Sequence, residues 1–84
     1  MKTKSNFVTD VLYEIPDYWI VYVEKLLEQI EWYCKVQGIS LPKILQIKEK
    51  YGELRFYHSI GEDWSDYELE TITLAIEMTE RLCT

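Results

Sequence analysis

The stretch between Pro16 and Gly38 constrains this chain more than any other. Pro16 suits a first helical turn and Asp17 the positive end of a helix dipole, so they open the longest helical pattern, which ends at Gly38. At 100° per residue, Trp19, Ile20, Tyr22, Val23, Leu26, Leu27, Ile30, Tyr33 and Cys34 share one broad arc, with Glu24, Lys25, Glu28, Gln29 and Lys35 opposite. Such an arc has to face a core, so the rest of the 84 residues must supply a cover for it.

The downstream sequence supplies that cover. Ile39-Ser40-Leu41-Pro42 breaks the helix, because Pro42 biases Leu41 towards extended geometry. Ile44–Glu49 and Leu54–Ser59 then alternate apolar and polar residues, and Lys50-Tyr51-Gly52-Glu53 between them holds the glycine that a tight turn wants. A β-hairpin is expected, with Leu45, Ile47, Leu54 and Phe56 on its inner face. Past Gly61, Asp63 or Ser65 can cap a final helix running to about Leu82. Its core face reads as Trp64, Leu69, Ile72, Ala75, Ile76, Thr79, Leu82 and Cys83, and Glu68 falls within the same arc. Upstream, Phe7, Val8, Val11, Leu12 and Ile15 are spaced for one or two helical turns capped by Ser5 or Asn6, although the same residues also suit a strand.

The expected fold class is therefore α+β. Two amphipathic helices pack on one face of a small antiparallel sheet built on a central hairpin, in α-β-β-α order after a short N-terminal element. All of residues 1–84 form one domain, with 1–5 as a flexible N-terminus. A chain this short must have a dense core, and seven Tyr, three Trp and two Phe provide bulky material for one.

Composition narrows function mainly by exclusion. Fifteen acidic against nine basic residues give a net charge of −6, which disfavours nucleic acid and anionic membranes as general partners and favours a basic protein surface. No apolar run approaches the roughly 20 residues of a membrane span, and Met1–Asn6 leads into no signal-peptide core, so a cytoplasmic location is expected. Cys34 and Cys83 make no disulfide framework. With His58 as the lone histidine they make no metal site, and no cofactor is expected.

The hairpin segment Gln46-Ile47-Lys48-Glu49-Lys50-Tyr51-Gly52-Glu53-Leu54-Arg55-Phe56-Tyr57 resembles a motif of small uncharacterised bacterial and bacteriophage proteins. In that family a Lys-Glu-Lys-aromatic-Gly-Gly-Leu-Arg-Phe-Tyr hairpin sits between two helices. Asp17-Tyr18-Trp19 looks like its Gly-aromatic lead-in, and Met78-Thr79-Glu80-Arg81-Leu82-Cys83 is similar to its C-terminal helix, so residues 15–83 are covered. Members often end in Cys-x-x-Cys and carry a further Cys near the first helix, where this chain has Cys83-Thr84 and Ile15-Pro16. Glu53 stands at the second glycine of the motif. The resemblance implies the fold order and carries no activity.

Four features bear on function. Asp63, Asp66, Glu70, Glu77 and Glu80 fall within one arc of the last helix, an acidic stripe able to meet a basic partner in the way a phosphate backbone does; more often a stripe of this kind is a solvated helix face. Tyr18, Val21 and Trp32 on the first helix, and Tyr67, Leu74 and Met78 on the last, lie off the core faces and read as a partner-binding or dimer surface, or as a patch covered by the N-terminal segment. Lys48, Lys50, Arg55 and Tyr57 share the outer face of the hairpin, an alternative site for a nucleotide, nucleic acid or other anionic ligand, or a charged guard against edge pairing. His58 falls on core-facing parity near Ser59, Glu62, Asp63 and Asp66, where an acid–base role competes with a structural one, and Cys34 lies on a buried face where a thiol stays protonated. The reading that joins these features is a non-catalytic interaction protein that binds a basic partner through its acidic helix and exposed aromatics, and the resemblance to phage proteins suggests an inhibitor of a host nucleic-acid-handling or defence complex.

Overall fold

The computed structural model describes residues 13–83. The longest helix opens where expected, with Asp17 in its first turn, but Pro16, at φ −59° and ψ 146°, stands just before α1 (Asp17–Gln37) instead of inside its first turn. At the other end Gly38 takes φ 68°, and the chain closes with the paired bonds of a Schellman cap. Ile39 N–H donates to the Cys34 carbonyl (3.0 Å) and Gly38 N–H to that of Lys35 (3.3 Å).

Beneath α1 lies a three-stranded sheet formed by β1 (Tyr13–Glu14), β2 (Ile44–Lys50) and β3 (Glu53–His58), in the order β1-β2-β3. β2 and β3 form the expected antiparallel hairpin. β1 corrects the all-antiparallel expectation, because it runs parallel to β2 with Tyr13 beside Ile47 and Glu14 beside Lys48. The cause is the connection. α1 carries the chain back along the sheet before β2 begins, and a helical crossover returns the chain in its original direction. Tyr13 and Glu14 are strand, while the helical turns or strand expected from Phe7 to Leu12 and the N-terminus expected to be flexible over 1–5 lie outside the described residues.

The hairpin also departs from simple alternation. Ile44 pairs with His58 and Gln46 with Tyr57, so Leu45 is an extra residue with no partner, a β-bulge. The bulge puts Ile44 into the core and leaves Leu45 55% exposed, correcting its place on the inner face. Ile47, Leu54 and Phe56 are buried there as expected. The two-residue loop Tyr51-Gly52 has positive φ at both positions, 56° and 77°, the pattern of a type I′ turn. Glu53 opens β3 instead of belonging to the loop.

α2 (Asp66–Leu82) is capped by Ser65, whose hydroxyl accepts from Glu68 N–H, rather than by Asp63. It packs beside α1 and along the outer edge of β3. Leu54 N–H donates to the Cys83 carbonyl (3.2 Å), and Phe56 N–H to a Glu80 carboxylate oxygen (3.4 Å). Two donors on the strand edge are thereby taken up by a helix end instead of a fourth strand. Ile72, Ile76, Thr79 and Cys83 point inwards and meet Val23, Leu26, Leu27, Ile30 and Cys34 of α1. Leu82 does not join them and is 64% exposed, because the helix stops there and Cys83 turns into the core in its place. Tyr22, at the margin of the α1 arc, is exposed as well.

The loops at the ends of the helices are clasped together. Both oxygens of Asp63 accept from Ser40 N–H (2.9 and 3.1 Å), and the Trp64 indole N–H donates to the Ser40 carbonyl (2.7 Å). A methyl group on Gly61 would lie 2.2 Å from the indole nitrogen, so the clasp requires glycine there.

Two substitutions test these local constraints by urea denaturation. Gly61→Ala forces the indole aside and is expected to cost about 1–3 kcal/mol, as overpacking does. Tyr51→Asn relieves a bulky residue in the left-handed region and is expected to gain about 1 kcal/mol. An unchanged midpoint in either variant would contradict the corresponding geometry.

Candidate functional site

Because α2 turns Ile72, Ile76 and Thr79 inwards, Asp66, Glu70 and Glu77 fall on its solvent side within about 40° of one another. All three are exposed. The other two members of the expected stripe do not join them. Asp63 precedes the helix and serves the clasp, and Glu80 is half-buried against β3. Glu68, placed by its spacing in the core arc, is half-buried.

The six off-core apolar residues, Tyr18, Val21, Trp32, Tyr67, Leu74 and Met78, are all exposed. The structure brings Trp32 and Met78 to the rims of one groove between the helices. Its first stretch, about 310 Å³, is lined by Gln29, Ile30, Trp32, Tyr33, Thr71, Ile72 and Ala75. Its second, about 260 Å³, is lined by Tyr22, Lys25, Leu26, Gln29, Ala75, Met78, Thr79 and Leu82. Gln29 and Ala75 line both, so the two hollows lie end to end between the helices. The floor consists of side chains that join the helices, and the groove opens away from the sheet. Tyr33 in its wall has a hydroxyl shielded from solvent with no hydrogen-bond partner.

The face of the sheet away from the helices carries the basic-aromatic set. Cross-strand register sets Lys48 beside Arg55, Gln46 beside Tyr57 and Lys50 beside Glu53, with Glu14 next to Lys48. Lys48 lies 5.8 Å from the Tyr57 ring centre and Arg55 pairs with Glu53 at 3.5 Å, whereas Lys50 turns towards Tyr51 at the hairpin tip (5.7 Å). Three cations and two carboxylates thus share this face, a weak field for an anion.

A charged cleft beside the outer edge of β3 has no counterpart in the sequence reading. Glu53, Leu54, Arg55, Glu77, Glu80 and Arg81 line about 300 Å³ there. Residues nearly thirty positions apart meet in it only because α2 docks along β3, and no local spacing announces that. Burial pushes the Glu80 carboxyl above the usual carboxylate range, against the opposing pull of Phe56 N–H and Arg55. Asp63 is held below that range by the Ser40 N–H bonds.

The remaining reactive groups are engaged or enclosed. His58 is half-buried beside Phe56, with its Nδ1 2.8 Å from the Ser59 carbonyl, and the Ser59 hydroxyl accepts from Lys43 N–H (3.0 Å). Cys34 and Cys83 are free and buried, and burial pushes both thiols up. Among the described residues no group of three or more His, Cys, Asp and Glu side chains is placed to hold a metal ion, and no helix is long and apolar enough to cross a membrane. No family model matches the chain, and neither a curated protein nor a solved structure matches it.

Glu80 yields a pH test with a defined sign. Its raised folded value means that its contribution to stability is fully present below the unfolded carboxylate value and is lost as pH rises through the folded value. Asp63 runs the other way, contributing above its unfolded value and losing that contribution as pH falls through its lowered folded one. Glu80→Gln keeps an oxygen for Phe56 N–H and removes the ionisation. Its unfolding midpoint relative to the unsubstituted protein should rise as pH moves from the carboxylate range towards neutrality, and a difference independent of pH would contradict the placement.

Proposed function

We propose that this chain is a non-catalytic interaction protein that binds the basic surface of another macromolecule through α2. The reading is carried by the exposure of Asp66, Glu70 and Glu77 in one column, with exposed Tyr67, Leu74 and Met78 alongside. Successive carboxylates in that column are about 6 and 10.5 Å apart along the axis, and Arg81 is the only basic residue on the helix. A column of one sign attracts a basic groove over a distance set by ionic strength, while the neighbouring apolar side chains add short-range contact. The net charge of −6 acts in the same direction.

The resemblance of the hairpin to small bacterial and bacteriophage proteins extends the reading to a phage-encoded inhibitor of a host nucleic-acid-handling or defence complex. Occupying the basic surface of such a complex requires no catalytic group. It requires a rigid acidic face, and α2 is held by the β3 edge at one end and the Ser40–Asp63 clasp before its other.

The test is capture of basic partners from bacterial lysate in the presence and absence of competing duplex DNA. The triple variant Asp66→Lys/Glu70→Lys/Glu77→Lys should lose at least tenfold in capture. Glu28→Lys/Glu31→Lys/Glu62→Lys, with the same change in net charge, should retain it, and DNA should displace what the unsubstituted protein holds. Undiminished capture by the α2 triple variant would exclude the column from binding.

A further inference from the structure

The groove between α1 and α2 is an apolar feature that the acidic column does not use, and we propose that a second copy of this chain covers it. On α1 the residues facing away from the sheet recur at Tyr18, Tyr22, Lys25, Gln29, Trp32 and Val36, steps of four and three that define a helix-packing seam. On α2 the matching column is Tyr67, Thr71, Leu74, Met78 and Leu82. Each helix therefore carries two apolar seams, and only one of them is spent on the protein's own core.

Three observations favour a second copy. The first is self-complementarity, which a two-fold interface demands. The same face presents projecting side chains, Trp32 and Met78, each 65% exposed, and the hollow beside them, so each copy offers both knob and hole. The second is area. Helices of 21 and 17 residues side by side make a face with a planar area on the order of 600 Å², and corrugation brings it near the roughly 800 Å² per partner of a standard interface. The third is charge. Lys25 is the only charged residue among those lining the groove, and it shares its stretch of groove with Met78. A two-fold axis parallel to the helices lays α1 of one copy on α2 of the other, and Lys25 then meets the flank carrying Glu77 of the second copy. Lys25 and Gln29, polar and central in an otherwise apolar seam, would fix the register. Asp66 and Glu70 lie outside the seam and Glu77 stands at its flank, so a dimer covers Tyr67, Leu74 and Met78 but leaves the carboxylates of Asp66 and Glu70 to meet a partner, and the inference does not rest on the function proposed above.

Sedimentation equilibrium of the whole chain, from low micromolar to several hundred micromolar, tests the proposal. The expected result is a mass rising to twice 10.1 kDa. Trp32→Lys and Met78→Lys should each raise the dimer dissociation constant about tenfold or more, without altering the circular dichroism spectrum or the unfolding midpoint extrapolated to the monomer. Tyr57→Lys, on the opposite face, should leave association unchanged. A monomer throughout the range overturns the proposal, whether the groove then holds the chain's own first twelve residues, a helix of another protein or water. A dimer that survives both groove substitutions overturns it equally.

Discussion

The docking of the C-terminal end of α2 along β3 governs everything outside the core. One backbone carbonyl and one carboxylate take the two edge donors of Leu54 and Phe56, and a helix held at these points cannot roll about its axis. With that rotation fixed, Glu80 turns inwards, three other acids turn outwards, and the flank beside α1 becomes the groove. The arrangement also stops the hairpin edge from recruiting a strand of another molecule, at least where those donors lie.

The sheet shows how a small domain obtains a third strand at little cost in length. Tyr13 and Glu14 are all of β1, and a two-stranded sheet alone is marginal. The Tyr13 hydroxyl donates to Glu24 on α1, so the short strand is tied to the helix that follows it as well as to β2. Strand, helix and hairpin thereby become one unit.

Much of this was legible in the sequence. Pro16 and Gly38 bracket α1 because fixed backbone geometry is written in residue type, and the buried residues of both helices follow their spacing. What failed had non-local causes. Nothing near Leu45 signals a bulge; the extra residue is imposed by pairing with a strand more than ten positions away, and it exchanges the roles of Ile44 and Leu45. Asp63 reads as a helix cap, but Ser40, brought near by the chain reversal, supplies a better donor. Glu80 belongs to the acidic arc by angle and leaves it because the β3 edge lies beneath that side of the helix. The outward positions of Trp32 and Met78 were legible, whereas their meeting across one groove depends on how the helices pair.

The two enclosed sulfurs give the molecule an internal clock. Cys34 sits in the last turn of the first helix, among core side chains, and Cys83 lies where the last helix ends against the strand edge. Neither reaches an alkylating reagent or an oxidant unless its surroundings open. Their modification rates thus separate fraying of the terminal turn from loss of the whole core. Oxidative damage at these positions becomes a measure of how long the native state persists.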